Sequence, residues 1–278
     1  MTVKLEKYHQ NHGSAIKKLM IKDDFVRRDM EECLSAFPEC AIVARSDESI
    51  AAVGVYTGVS EKTSFTFYVH PAYRRQGIGS LLLRTLEKEM AEKGIQEVVC
   101  DYMVDDSISA FLGRRGYETW FRSTHMIFSG TLEMPSSPSI SAYVDSDYPY
   151  VQKILSESFH RMRLHVGLRS SLSAPSEEER LSFLKKAEDI FVLRSEDEIL
   201  AVAMVEGSEI DKIAVTVDKQ GKGYGKLLLS HTVKALLDRG FDEVTLWVVK
   251  GNPAQVLYEH LGFKVHRLHE FVHKRLQK

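Results

Sequence analysis

Two hydrophobic periodicities alternate along the chain. Leu81, Leu82, Leu86 and Met90 recur at helical spacing up to Gly94, and Leu227, Leu228, Leu229 and Val233 do the same in a segment closed by Gly240. Thr63 to Val69 instead alternates, with Phe65 and Phe67 on one face, and reads as a strand. In order, the pattern predicts helices over 15–20 and 28–34, a hairpin of 40–44 with 50–56, the strand 63–69, the helix 81–94, a strand at 98–102, a helix at 107–115 and a strand at 119–127. A Pro- and Ser-rich stretch, 129–139, reads as a linker. The series then restarts, with a strand at 142–144, helices at 148–159 and 178–187, and a hairpin of 190–193 with 199–205 across the turn 195–198. A strand at 209–215, the helix 227–240, a strand at 244–249, a helix at 253–260 and a last strand at 268–273 complete it.

The strand ending at Val215 runs into Gln220-Gly221-Lys222-Gly223-Tyr224-Gly225-Lys226 and at once into a helix. A helix that begins on glycines presents bare backbone N–H groups, and its dipole adds a field that favours anions, so phosphate is the expected guest. Spacing excludes two phosphate motifs. Counted back from Gly225-Lys226, a Walker loop would need glycine at Gln220 and a hydroxyl at Leu227, and a dinucleotide fingerprint starting at Gly221 would need glycine at Lys226. Gln220, Gly223 and Gly225 do satisfy Gln/Arg-x-x-Gly-x-Gly, and Arg74, Gly77 and Gly79 satisfy it again 146 residues earlier. The same offset carries Arg115-Gly116-Tyr117 onto Leu261-Gly262-Phe263, while Val43 to Glu48 falls on Val192 to Asp197 with an offset of 149, one short indel away. Two copies of one domain follow.

On these residues the chain resembles the GCN5-related N-acetyltransferases, the GNAT superfamily. The resemblance implies an α/β (α+β) fold class: two tandem acyl-CoA N-acyltransferase domains, each a mixed, mostly antiparallel twisted sheet flanked by helices. The expected organisation is an N-terminal domain at 1–130, a linker at 131–139 and a C-terminal domain at 140–278.

Composition limits the partners. With 278 residues, 44% hydrophobic and 27% charged, there is apolar content for two cores, and the net charge of −2 argues against a nucleic-acid or membrane surface. Cys33, Cys40 and Cys100 are an odd number without metal-ligand spacing, so free thiols are expected and no metal. No stretch reaches the length of a membrane span and the N-terminus lacks a signal-peptide core, which predicts a cytoplasmic protein, monomeric or homodimeric.

The resemblance also assigns roles. Acetyl-CoA is the expected donor: backbone groups of Ile213, Ala214 and Val215 would pair with its pantetheine amides, and Gln220, Gly221, Lys222, Gly223, Tyr224, Gly225 and Lys226 would hold its diphosphate. In the first copy the matching candidates are Val69, Arg74, Arg75, Gln76, Gly77, Ile78, Gly79 and Ser80. Tyr258 stands where family members carry a general acid for the departing thiolate. Asn252 before Pro253 reads as a helix cap, at a position where relatives also touch the coenzyme. Glu209 and Asp211 are the candidate bases for the amine, usually relayed by water in the family; at period two they share a face with Ile213. A solvated strand edge is the rival reading of both.

The basic and imidazole-rich stretch His160, Arg161, Arg163, His165 and Arg169 reads either as a solvated loop or as an acceptor-recognition loop. At the 146 offset the first copy has Thr63, Phe65, Leu112 and Asp106 for Glu209, Asp211, Tyr258 and Asn252, which makes the second copy the expected catalyst. His70 and Tyr73 are the other polar candidates in the first. The expected activity is acetyl transfer to a small-molecule or peptide amine; the alternative is a catalytically silent acyl-CoA sensor or scaffold, and an oxygen acceptor stays open.

Overall fold

The computed structural model describes residues 3–20, 24–132, 139–196 and 198–276. Most of the expected linker and residue 197 of the expected hairpin turn lie outside these. The chain divides into two compact units, one of residues 1–120 with 270–278 and one of residues 121–269.

The first unit opens with β1 (Val3–Lys7), α1 (Gly13–Leu19), α2 (Asp24–Ala36), β2 (Ala41–Ser46) and β3 (Ser49–Tyr56). It continues with β4 (Lys62–Val69), α3 (Ile78–Glu92), β5 (Glu97–Met103) and α4 (Asp106–Gly113). Its strands lie in the order β1-β2-β3-β4-β5, antiparallel except for the parallel β4–β5 pair. Leu82, Leu83, Leu86 and Met90 of α3 are fully buried against Val53, Val55 and Tyr56, as the helical spacing requires. β1 was not among the expected elements, although its Val3 and Leu5 alternate with charged residues.

β6 (Glu118–Ser129) gives its residues 121–129 to the second unit. There follow β7 (Ile140–Ala142), α5 (Tyr148–His165), α6 (Glu177–Lys185), β8 (Ile190–Ser195) and β9 (Glu198–Glu206). After them come β10 (Glu209–Val215), α7 (Tyr224–Asp238), β11 (Glu243–Val249), α8 (Ala254–Leu261) and β12 (Lys264–Arg275). The strand order in this unit is β7-β8-β9-β10-β11-β6. Residues 270–276 return to the first unit, where the Leu276 amide donates to the Gln96 carbonyl at 2.8 Å.

Compactness therefore cuts the chain differently from the internal repeat. β6 runs antiparallel to β11 through seven registered pairs, from Ser123↔Val249 to Ser129↔Glu243, and its Met126 and Phe128 are buried with Val205, Leu229, Leu236 and Val244. A complete ladder and two core side chains bind the end of the first copy to the sheet of the second.

Helix α5 also differs from the expectation. It continues to His165, so His160, Arg161, Arg163 and His165 are helical and not in a loop. Phe159 and Met162 extend the apolar stripe of Val151, Ile154 and Leu155, and only at Gly167, with φ of 80°, does the chain turn away.

Candidate active site

β10 and β11 are paired only where the start of β10 meets the middle of β11, at Glu209↔Thr245 and Ile210↔Leu246, and then part. Beyond Ile210, β10 still pairs with β9, but its other edge faces a cleft of about 780 Å³. Ile213, Ala214 and Val215 line it from one side, Trp247 and Val249 of β11 from the other. Ser158, Phe159, Arg161, Met162 and His165 of α5 and Leu257 and Tyr258 of α8 complete its walls.

The ladder of β10 on β9 skips one residue. Ile210 faces Val205 and Lys212 faces Met204, so Asp211 has no opposite number and the strand is bulged there. The extra residue inverts the alternation: Ile210 and Ile213 both pack toward α7, with Val205, Leu229 and Val233, whereas Ala214 packs with Tyr148 and Val151 of α5. Glu209, next to Ile210, thus lies on the face opposite Ile213. The expectation that Glu209 shares a face with Ile213 fails for that reason. In the first unit β4 pairs with β3 without interruption from Phe65 to Val69 and no bulge occurs, so the offset there is 145: Ser64, which pairs with Val99 as Glu209 pairs with Thr245, stands for Glu209, and the expected Thr63 does not.

After Val215 a single 3-10 turn, Val217–Lys219, leads into the glycine loop. The Gln220 side-chain amide donates to the Val215 carbonyl at 3.2 Å and folds the loop back on the strand. Gly221 and Gly223 have φ of 77° and 89°, the left-handed region that glycine enters without steric cost. No side chain caps α7, and its first internal bond is from the Leu227 amide to the Gly223 carbonyl, which leaves the amides of Tyr224, Gly225 and Lys226 without helical partners. A Cβ built at Gly221 or Gly223 would meet nothing within 4 Å, whereas one at Gly225 would touch Leu257 and Val215 at 3.5 Å. Of the predicted loop residues all but Lys222 line the cleft, Lys222 being exposed. Lys219 also lines it, while pairing with Glu198 at 2.7 Å.

The first copy reproduces the turn and the parting of the strands, β4 pairing with β5 only from Lys62 to Ser64, but carries bulkier side chains at several positions of the cleft. Arg74 donates to the Val69 carbonyl at 2.9 Å, as Gln220 does to Val215, and Gly77 has φ of 84°. Arg75 occupies the position of Gly221 and holds φ of 63°, a conformation costly for a residue with a Cβ. Phe67 and Phe111, the counterparts of Ile213 and Leu257, pack ring to ring at 6.2 Å. Arg115 stacks 3.7 Å from the centre of Phe111 and donates to the hydroxyl of Ser80, which stands where the second copy has Lys226. Val69 approaches Gly79 across the base of this loop. Gln76 turns its amide back to the Ala72 carbonyl, and Ile78 is buried in the core.

Three polar groups meet the cleft or its edge. Tyr258 is 6% exposed, and burial pushes its phenol up to about 12, so it is protonated at neutral pH. Among the described residues no group is hydrogen-bonded to its hydroxyl. The Asn252 side-chain oxygen accepts from the Ala254 amide at 3.0 Å and caps α8, with the residue also lining the cleft. Asp211 lines the cleft with its carboxylate 3.4 Å from Lys212 Nζ. Glu209 does not line it. Burial first, and the like charge of Asp211 second, hold its carboxyl above the ordinary range, opposed in part by the polar indole of Trp247. Trp247 was missed from sequence; an aromatic in an alternating strand carries no sign of which neighbours it will meet. Among the described residues no cluster of three or more His, Cys, Asp or Glu side chains is placed to hold a metal ion, and Cys33, Cys40 and Cys100 are free thiols.

Comparison with known proteins bears on the family and the fold. The model of the "Acetyltransferase (GNAT) family" matches residues 11–117 and that of the "Acetyltransferase (GNAT) domain" matches residues 186–265. The chain belongs to the GNAT acetyltransferase superfamily, with two such domains in tandem. A mycothiol acetyltransferase of Paenarthrobacter aurescens is 28% identical over 245 residues, covering 78% of this chain and 72% of the relative. A GCN5-related N-acetyltransferase of Sphaerobacter thermophilus has a similar structure, with a TM-score of 0.74 at 20% identity over 99% of this chain and 96% of that one. A tandem GNAT protein from the clavulanic acid biosynthesis pathway superposes with a TM-score of 0.67 at 14% identity, over 100% of this chain and 99% of its own. No helix among the described residues is long and apolar enough to cross a membrane.

Proposed function

We propose that the second copy transfers an acetyl group from acetyl-CoA to a primary amine of a small molecule or peptide, and that the first copy serves as a structural partner without its own transfer chemistry. The carrying observation is that one cleft unites an unpaired strand edge, an open glycine loop at a helix start and a buried, unpartnered phenol.

The residues present fit the coenzyme. The edge of β10 at Ile213 and Ala214 suits an amide-bearing arm, the Val215 carbonyl already accepting from Ser158 and Gln220, and the amides of Tyr224 to Lys226 suit a diphosphate, with Lys226, Arg161 and His165 also lining the cleft to balance its charge. When bound, acetyl-CoA supplies a thioester carbonyl open to a nucleophile. Glu209, directly or through water, takes the proton that an ammonium must lose before it can attack. Its raised pKa brings it closer to the working pH than an ordinary carboxylate. Tyr258 gives its proton to the sulfur as the thiolate departs, and its burial keeps that proton in place until then. Phe159, Met162 and Trp247 form the apolar part of the wall on which the acceptor rests.

Release of free thiol from acetyl-CoA in the presence of a panel of amines tests this. The panel comprises amino sugars, polyamines, amino acids, peptides and the acceptor of the mycothiol acetyltransferase relative. At least one amine is expected to accelerate thiol release at least a hundred-fold over buffer. Tight coenzyme binding with no thiol release from any amine would support the second reading, an acyl-CoA sensor.

A further inference from the structure

In the second copy, Arg194 of β8 and Lys219 each have a carboxylate of the chain's own. Arg194 donates to both oxygens of Asp147, at 2.9 and 2.6 Å, and Lys219 pairs with Glu198 at 2.7 Å. Asp147, at 5% exposure, also accepts from the Val144 amide at 2.9 Å and so fixes the entry to α5. A guanidinium held bidentately by a carboxylate is among the stronger polar contacts a protein makes.

The first copy keeps the guanidinium and loses both carboxylates. Arg45 corresponds to Arg194: each lies just past the same register slip of its hairpin and two residues before a left-handed residue, Asp47 or Glu196. His12 stands for Asp147. Its Nδ1 accepts from the His9 amide at 3.2 Å, and Ile16, Leu19 and Met20 beyond it are buried as Val151, Ile154 and Leu155 are. Ser49 opens β3 where Glu198 opens β9, and Tyr73 replaces Lys219. The carboxylates left near Arg45 are more distant: Glu6 at 3.6 Å, shared with His12 Nε2 at 3.4 Å, and the fully exposed Glu48 at 3.9 Å, whose carbonyl accepts from the guanidinium at 2.8 Å.

Beside Arg45 lies a cleft of about 480 Å³. Asn11, Lys18, Ser49, His70 and Tyr73 line it with Arg45 and His12, and the buried Leu19 and Ile50 are its apolar part. Nδ1 of His70 accepts from the Ala72 amide at 3.3 Å, so both imidazoles, when neutral, carry their proton on Nε2 as a donor. Glu48 lines the cleft too, against the two cations Lys18 and Arg45.

We propose that this cleft of the first copy binds a small organic acid, whose carboxylate takes on Arg45 the place that Asp147 takes on Arg194. The volume exceeds that of one carboxylate, so the remainder of the ligand carries hydroxyl or further carboxylate groups that meet Lys18, Asn11, Ser49 and Tyr73. His70 and Tyr73 then serve a bound ligand and not transfer chemistry. The site stands whichever copy transfers the acetyl group.

Isothermal titration calorimetry of the full-length protein at constant ionic strength, with citrate, malate and inorganic phosphate as probes, tests it. Citrate or malate is expected to bind with a Kd of about 1 mM or tighter, and phosphate about ten-fold more weakly. Arg45→Gln should weaken the acid by about ten-fold or more, and so should His12→Asp, which returns to the chain the carboxylate that the second copy carries. Affinity that survives in a folded Arg45→Gln belongs to another part of the molecule and overturns the proposal. No binding of either acid up to about 10 mM overturns it as well. Phosphate bound as tightly as the acids, and lost with them in Arg45→Gln, overturns the assignment to a carboxylate. If Arg45→Gln does not fold, unchanged affinity in His12→Asp overturns the site instead.

Discussion

Glu209 and Ile213 stand four residues apart on one strand and on opposite faces of it, because Asp211 has no partner on β9. The bulge puts the carboxylate on the α5 side while leaving the Ile213 backbone at the free edge. It also leaves Asp211 close enough to raise the Glu209 carboxyl by like charge. Asp211→Asn keeps the bulge and removes that charge. The acid limb of kcat/KM is expected to move to lower pH than in the parent, in a pH series read with one amine. An upward shift would exclude Glu209 as the titrating base.

Glu209 also links activity to stability. Its folded-state pKa lies above the unfolded value, so the native chain holds the proton more tightly, and this contribution is present at low pH and lost as pH rises through the folded value. Glu209→Gln should thus be at least as stable as the parent at neutral pH while inactive. Relative to the parent it should lose that advantage as pH falls into the ordinary carboxylate range. Thermal unfolding at neutral pH and near pH 4 checks the sign.

Among the described residues Tyr258 has no partner for its hydroxyl, so Tyr258→Phe removes chemistry without breaking a described bond. We expect kcat to fall about 10²-fold or more, with coenzyme affinity and Tm close to the parent. Single-turnover kinetics and calorimetry distinguish this from a packing defect, which would change all three.

Gly223 and Gly77 are a matched pair with φ of 89° and 84°. Alanine at either costs about 1–2 kcal/mol in the left-handed region. The Gly223→Ala methyl group also enters the space over the loop amides, and should weaken coenzyme binding at least ten-fold. Gly77→Ala should lower Tm by a similar amount and leave transfer intact. Loss of turnover in the latter alone would reassign catalysis to the first copy.

The units predict where the chain can be cut. A fragment of 140–278 lacks the strand that pairs with all of β11 and fills the core with Met126 and Phe128, which are 0% and 6% exposed. It is expected to lack a cooperative unfolding transition, and a fragment that begins at residue 121 is expected to regain one. Denaturant titrations of the two fragments compare them directly.

Much of this was readable from spacing. The loops at Gly77 and Gly223, the helices behind them and the duplication depend on residues within a turn or two of each other, and so does the Asn252 cap. Legible in the same way was the loss of Glu209, Asp211 and Tyr258 counterparts from the first copy, since it needs only an offset. Other features were out of reach. A basic stretch such as 160–165 looks the same in a loop or on a helix until the stripe of Phe159 and Met162 finds a surface to cover.

The chain's own pattern determined that there are two domains of one kind, where each carries its glycine loop, and which copy retains Glu209, Asp211 and Tyr258. Only tertiary structure decided how those groups are aimed. The bulge at Asp211 exists because β9 offers one residue too few, and the indole of Trp247 meets the ring of His125, 4.7 Å away, because a strand more than a hundred residues earlier pairs with β11. Both depend on the register between strands, which is set by the packing of the whole sheet and leaves no mark on the local sequence of either partner.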